Sequence, residues 1–274
     1  IIFDSVEWYK SKNKLMTFIS PYYLNIEFAM RYYSPKVKNV IAISRFLENH
    51  YVSKNCNVVR IPPTLDTSII APVQRDKNHK LVLAYAGSPL ARTGHKDLLN
   101  NILDAVLNID EDGKRLQLNI AGITGNELLQ YDSLKAKGYT RVPKVFNCKG
   151  WVSHGSATRM VGTADFSVLL RLPEKYAMAG FPTKFVESMA VGTPIITNIT
   201  SDLGDYLHDG DEGLICADHQ SKSIEKKIRY ALDLTDADKE KMRLKARQRA
   251  ELSFDNMVYL DSFKCFLGSL DSVQ

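Results

Sequence analysis

Residues 179–196 read AGFPTKFVESMAVGTPII, and this stretch decides the fold. Gly180-Phe181-Pro182 forms a turn, and Pro182 suits a first helical turn, where its missing N–H costs nothing. A helix starting near Thr183 carries Lys184 and Glu187. Gly-Thr-Pro then stops it and a short β-branched strand follows. A carboxylate set into a helix that otherwise reads as buried raises a functional question. The helix-then-strand order itself asks for the same alternation on either side.

That alternation is present. Short apolar strands are predicted at 81–86 (LVLAYA), 116–122 (LQLNIAG), 144–150 (KVFNCKG), 165–171 (DFSVLLR), 194–197 (PIIT) and 213–216 (GLIC). Helical segments such as HKDLLNNILDAVLNI lie between most of them. Such a series argues for a parallel sheet covered on both faces, one doubly wound α/β domain over about 75 to 235. Upstream, YYLNIEFAMRYY reads as a helix, 39–44 (NVIAIS) as a strand, and Ser44 as the N-cap of RFLENHYVSK. NVVRIPP is a second strand stopped by two prolines, and PTLDTSIIAPVQRDKNHK reads as a linker. The tail after the last strand is helical by pattern. It is charged at first and apolar-striped at its end.

Composition narrows the class. Of 274 residues, 45% are apolar and 24% charged, a globular balance with chain enough for a large core. The net charge of +5 suits an anionic ligand but is too diffuse for nucleic acid. Cys56, Cys148, Cys216 and Cys265 are widely spaced, with no CxxC and no His cluster at ligand spacing. Four free thiols, a reducing cytoplasmic compartment and no metal are expected. No apolar run approaches the roughly 18 to 20 residues of a membrane span. The chain opens on IIFDSVEWY, which reads as a strand end running into a loop, so a fragment lacking its amino-terminal part is expected.

In an open α/β sheet ligands sit beyond the carboxyl ends of the strands, so the strand-to-helix loops are the informative places. In YAGSPLARTGHKDLL, Gly87 and Ser88 end a strand and Lys96 stands at a helix start. Glycine permits close backbone approach, and a helix N-terminus with a lysine suits a phosphate. A surface turn with a solvated lysine fits the same residues. Neither GxGxxG nor GxxxxGK[ST] is present. In LLRLPEKYAMAGFPTKFVE, a buried strand ends at Arg171, and Gly180, Phe181, Pro182 and Thr183 lead into the helix of Lys184 and Glu187. Glu187 could accept hydrogen bonds from a vicinal diol such as a ribose, or simply partner the helix dipole. In GWVSH, Trp151 and Val152 could meet a nucleobase, although core packing is the commoner fate of a tryptophan. His154 has no visible Asp or Ser partner and is not read as a catalytic base. Together the loops compose a nucleoside diphosphate site.

YAGSP…KDLLNNILDA, GWVSH…MVGTADFSVLLR and AGFPTKFVESMAVGTPII resemble the carboxy-terminal half of GT-B glycosyltransferases, family 4 (glycosyl transferases group 1). The resemblance runs from about residue 38 to 265, and it implies a division of the chain. Residues 1–72 would be a partial, truncated amino-terminal (acceptor-side) α/β domain with its linker. Residues 73–253 would be the Rossmann-like nucleotide-sugar-binding domain, and 254–274 a helix packing back on the first domain. It implies a retaining enzyme without metal or other cofactor, moving a sugar from a nucleoside diphosphate sugar to a hydroxyl of a saccharide or lipid-linked acceptor, as in polysaccharide or glycoconjugate assembly. It places Glu187 on the ribose, Lys96 and Arg171 on the diphosphate with the backbone of Gly180 to Thr183, and Trp151-Val152 at the base. Arg92, Arg171 or Lys184 would replace the basic residue the family often carries where Ser88 stands. At Ala179 the family usually has a glutamate, and its carboxylate contact to the donor sugar is missing.

Three other readings remain to be weighed. A nucleotide-sugar 2-epimerase would want an acid/base set that is not visible. A dehydrogenase is opposed by the missing GxGxxG. A non-catalytic nucleotide-sugar-binding module or partner subunit is favoured by Ala179. The aromatics of residues 3–33 could line an acceptor groove, make peripheral membrane contact at the inner face through the first domain, or pack in a core. Lys96→Ala is expected to cut sugar transfer strongly with the fold intact. Near-normal turnover at unchanged circular dichroism would remove Lys96 from the mechanism.

Overall fold

The computed structural model describes residues 1–8, 20–75, 79–87 and 97–270. Two parallel sheets organise them. β1 (Phe3–Ser5), β2 (Asn39–Ala42) and β3 (Asn57–Arg60) form a three-stranded sheet in that order. β4 (Leu81–Ala86), β5 (Leu116–Ala121), β6 (Phe146–Gly150), β7 (Phe166–Leu169), β8 (Ile195–Asn198) and β9 (Gly213–Cys216) form a second sheet ordered β6-β5-β4-β7-β8-β9. All its pairs are parallel. The chain therefore reverses direction across the sheet between β4 and β7, the topological switch point of a doubly wound fold.

The helices are α1 (Pro21–Phe28), α2 (Arg45–Val52), α3 (Leu99–Asp110), α4 (Gly125–Leu128), α5 (Asp132–Ala136), α6 (His154–Thr163), α7 (Lys175–Ala179), α8 (Thr183–Ala190), α9 (Ser221–Asp233), α10 (Asp236–Ser253) and α11 (Leu260–Leu270). None of them is long and apolar enough to cross a membrane. Strands β4 and GLIC lie where the sequence predicts, and the other strand bounds shift by one to three residues.

Strand β4 shows how the sheet is covered. Leu81, Leu83 and Tyr85 point into the main core with Leu99, Ile102, Leu103 and Val106 of α3. Val82 and Ala84 face the other way, against Met160, Val161 and Ala164 at α6. Both faces are buried, which is why the strand reads as a continuous apolar run rather than an alternation. A second core joins Phe181, Phe185, Val186 and Met189 to Ala246, Ala250 and Phe254 of α10 and its end.

The helix of the deciding stretch, α8, ends on glycine for a geometric reason. Gly192 sits at φ +76°, a left-handed conformation. Its N–H donates to the carbonyl of Met189 at 2.9 Å, and Thr193 N–H donates to that of Ser188 at 2.8 Å. These are the two bonds of a Schellman cap, and Pro194 beyond it stops the helix. Ser44 caps α2 as the sequence predicts, accepting from Leu47 N at 3.4 Å. The same hydroxyl donates to the carbonyl of Ala179 at 2.5 Å, joining the first sheet to α7.

The described part of the segment read as a linker, 63–75 above all, is irregular but tied down. Arg247 of α10 donates to the carbonyls of Thr67, Ile70 and Ala190. Arg243 donates to those of Val73, Gly162 and Ala164. Arg75 pairs with Asp165 at 2.6 Å, and the other Asp165 oxygen accepts from Val82 N at 2.7 Å. Helix α11 returns to the first sheet, where Asn57 donates to Ser269 at 2.7 Å. The aromatics near the amino end divide. Trp8 is buried, while Tyr22, Phe28, Tyr32 and Tyr33 are exposed. The four cysteines are free, as expected.

Arg75 and Asp165 are 7% and 1% exposed; removing Asp165 takes from Arg75 one of two carboxylates, Asp236 remaining at 2.8 Å, and takes from Val82 N its acceptor. Asp165→Ala is expected to cost about 1 to 3 kcal/mol of stability, read as a lower urea midpoint. A change under about 1 kcal/mol, the scale of exposed pairs, would show that the pair is solvated in solution.

Candidate functional site

A cavity of about 270 Å³ opens at the switch point between β4 and β7. Small residues make the room for it. Ala84, Ala86 and Gly87 line it from β4 and its end, and Ser167 from β7. One wall is α6, with His154, Ala157, Thr158 and Val161, and the other is α8, with Thr183, Lys184, Glu187 and Ser188. The carboxylate in the opening stretch thus faces an exposed cavity wall, while Phe185, Val186 and Met189 of the same helix are buried.

Beside the cavity lies a charge cluster that the sequence does not announce. Asp97, 5% exposed, accepts from Arg171 Nε at 2.9 Å on one oxygen. Its other oxygen accepts from Tyr85 Oη at 2.8 Å and from Lys184 Nζ. Lys184 Nζ also donates to Tyr85 Oη at 3.1 Å and stands 4.5 Å from the centre of its ring. Burial alone would raise the Asp97 carboxyl. The charges of Lys184 and Arg171 and the bonds from Lys184 and Tyr85 outweigh that, and hold it below its ordinary 3.8. Asp97 therefore contributes stability above that pH, and loses it as pH falls through its lower folded value. Burial lowers the Lys184 ammonium, with Asp97 opposing. Burial and then Asp97 push the Tyr85 hydroxyl well above 10.0.

Backbone bonds hold the cluster in register. Leu98 N donates to Leu170 O at 2.8 Å. Arg171 N donates to Asn198 Oδ1 at 3.0 Å, and Asn198 Nδ2 returns to Arg171 O at 2.9 Å. Neither Asp97 nor Tyr85 stands out from the sequence. An acid beside a helix start reads as a dipole partner, and a tyrosine in an apolar strand reads as core. The alternation of small with large residues along β4 was the one available signal for the cavity.

The residues expected at the site are placed as follows. Thr183, Lys184, Glu187 and Gly87 line the cavity together, and Arg171 joins Lys184 through Asp97. Lys96, Ser88 and Arg92 lie outside the described residues. The Gly180 amide is already occupied, donating to Tyr176 O at 3.0 Å. Phe181 turns its ring into the second core, and Pro182 is the buried N-cap of α8 rather than its first helical residue. Of that turn, the N–H groups of Thr183 and Lys184 have no acceptor within the helix. Trp151 is 72% exposed, not core, and Val152 is also exposed, just before the Ser153 cap of α6. His154, not read as a catalytic base, also lines the cavity.

Ala179 is fully buried against Val40, Ala42, Leu47 and Tyr51 of the first unit. A glutamate there would bring a carboxylate into an apolar cluster, which is costly without a partner. Among the described residues no group of three or more His, Cys, Asp or Glu could hold a metal ion.

The sequence profile of glycosyl transferases group 1 matches residues 70–251, more than half of the chain, and the chain belongs to that family. Over 106 residues it is 32% identical to a glycogen synthase of Mycobacterium tuberculosis, a match covering 36% of this chain and 25% of that protein. The fold is like that of the Anabaena protein Alr3699/HepE solved in complex with UDP (TM-score 0.71, 13% identity, 98% of this chain and 72% of that one). It is also like that of TarM (TM-score 0.70, 13% identity, 97% and 49%). The matches thus span 25% of the glycogen synthase and 49% of TarM but 72% of the Anabaena protein, and the structural likenesses show a Rossmann-like GT-B fold.

A Cβ on Gly87 would overlap Lys184 Nζ and lie 3.1 Å from Tyr85 Oη. The lysine tip is flexible, so Gly87→Ala is expected to displace the ammonium at a stability cost of about 1 kcal/mol or less, and to weaken anion binding several-fold. Unchanged binding of UDP by calorimetry would show that Gly87 does not set the lysine's position.

Proposed function

We propose that the chain supplies the donor-binding half of a family 4 hexosyltransferase, which moves a sugar from a nucleoside diphosphate sugar to a hydroxyl acceptor with retention. The carrying observation is the cavity at the switch point, lined by Thr183, Lys184 and Glu187 and flanked by the pair of cations on Asp97. Cations and a helix start on one wall suit a diphosphate. A carboxylate one turn further along suits a pair of sugar hydroxyls. The glycogen synthase relative and the UDP held by the Anabaena protein support a nucleotide-sugar donor.

On this reading Glu187 accepts hydrogen bonds from the ribose. Lys184 and Arg171, with Lys96, meet the diphosphate. In the reaction the bond between the anomeric carbon and the diphosphate oxygen breaks, and the acceptor oxygen bonds to that carbon. The acceptor proton passes to the departing phosphate. Negative charge grows on the leaving oxygens, and each donor aimed at them is worth about 2.7 to 4 kcal/mol. The cations would do without a metal, and the acceptor would be a saccharide or lipid-linked glycan met mainly by the first unit. A second reading, a nucleotide-sugar-binding subunit without transfer, is favoured by the buried Ala179. A transfer assay on the full-length protein separates the two.

The first test is a thermal-shift panel of UDP, GDP, ADP and CMP on the chain and on Glu187→Ala. A ligand at 100 times its dissociation constant adds about 2.7 kcal/mol, a rise of several degrees. One nucleotide is expected to shift the parent and not the variant. If none shifts the chain or the full-length protein, the donor reading fails.

A further inference from the structure

We infer that Asp97 is an internal counter-anion of the donor site: it occupies two cations while the site is empty, keeps Arg171 but yields Lys184 to the arriving diphosphate, and thereby speeds departure of the nucleoside diphosphate product. The inference rests on the donor reading of this cavity.

Three observations carry it. First, both oxygens of Asp97 are taken by groups that could bind a phosphate, Arg171 Nε on one and Lys184 Nζ on the other. A carboxylate occupying both cations is an anion already in an anion site. Second, the partners differ in freedom. Asp97 and Arg171 are locked by a backbone bridge, by the Leu98 to Leu170 bond and by Asn198. Lys184 reaches the cluster from α8 on a long side chain that lines the cavity, and its side chain is 28% exposed. The ammonium can turn toward a phosphate oxygen while the carboxylate stays. Third, Asp97 is shared. Among the described residues it holds two cations at once, and the one turned to the cavity, Lys184, also feels Glu187 on the same wall. Lys184 thus stands between a fixed carboxylate and the cavity, where a phosphate can compete for it.

The consequence falls on product more than on substrate. A sugar nucleotide carries one negative charge on each phosphate. Loss of the sugar frees a terminal phosphate, which adds roughly one more near neutral pH. Repulsion by the fixed carboxylate therefore weighs most on the nucleoside diphosphate, the species that must leave.

The test compares dissociation constants of UDP and UDP-glucose, or of the pair whose base the nucleotide panel selects, on the parent and on Asp97→Asn. The asparagine keeps shape and removes charge. Binding of the diphosphate is expected to tighten about tenfold and that of the sugar nucleotide less. In the full-length enzyme kcat and KM are expected to fall together as release slows. Equal or weaker binding of both ligands by the variant would make Asp97 a structural pin and overturn the inference alone. A parent that binds no nucleotide overturns the donor reading, and the inference with it. If the variant does not fold, a crystal structure of the parent with UDP decides. Lys184 Nζ within hydrogen-bond distance of a phosphate oxygen, with the Asp97–Arg171 pair retained, supports the inference. A lysine still held by Asp97 and Tyr85, with no phosphate contact, overturns it.

Discussion

All six strands of the larger sheet run the same way, and that constraint governs the rest of the molecule. Parallel neighbours cannot be joined by tight hairpins, so each connection must cross a face of the sheet. The crossings bury both faces, as the two sides of β4 show, and they deliver every strand-to-helix loop to one edge. Where the winding reverses, between β4 and β7, the crossings diverge and leave a gap. The cavity, its two helical walls and the Asp97 cluster all occupy that gap. Glu187 stands on a largely buried helix because its helix flanks the gap.

Most of this architecture was legible in the sequence because it is written in local patterns. Apolar runs such as LVLAYA and GLIC marked strands, and Ser44 and Gly192 marked helix ends through backbone needs of single residues. The deciding stretch gave the helix, the lysine and the carboxylate of one cavity wall. What it could not give was pairing at a distance. Asp97 meets Lys184 and Arg171 across 87 and 74 positions, and a lone acid beside a helix start carries no mark of either partner. The Gly180 amide looked available for the same reason, since its acceptor, the Tyr176 carbonyl, depends on how the preceding turn closes. For Trp151 the residues left core packing and a place at a loop surface both open, and the placement of its loop, which exposes it, excludes the core.

The buried arginines explain how a polar, proline-punctuated segment is kept in place without becoming helix or strand. Arg243 and Arg247 project from one helix and satisfy carbonyls of residues 67–73 together with carbonyls beside α6 and α8. Each guanidinium has several fixed donors, so one side chain can serve several backbone groups that no ladder reaches. The connection between the two sheets is thus part of the larger unit's packing. Its sequence composition resembles a loose tether because the order is imposed from α10.

Ser44 has a mechanical consequence. Its hydroxyl is shared between the start of α2 and the last carbonyl of α7, and Ala179 is packed among side chains of the smaller sheet. Helix α7 is therefore carried by the smaller unit, although its chain neighbours belong to the larger one. Any rocking of one unit against the other would pull on residue 180 and, through it, on the entry to α8. The junction works as a lever whose short arm ends at the wall holding Lys184 and Glu187.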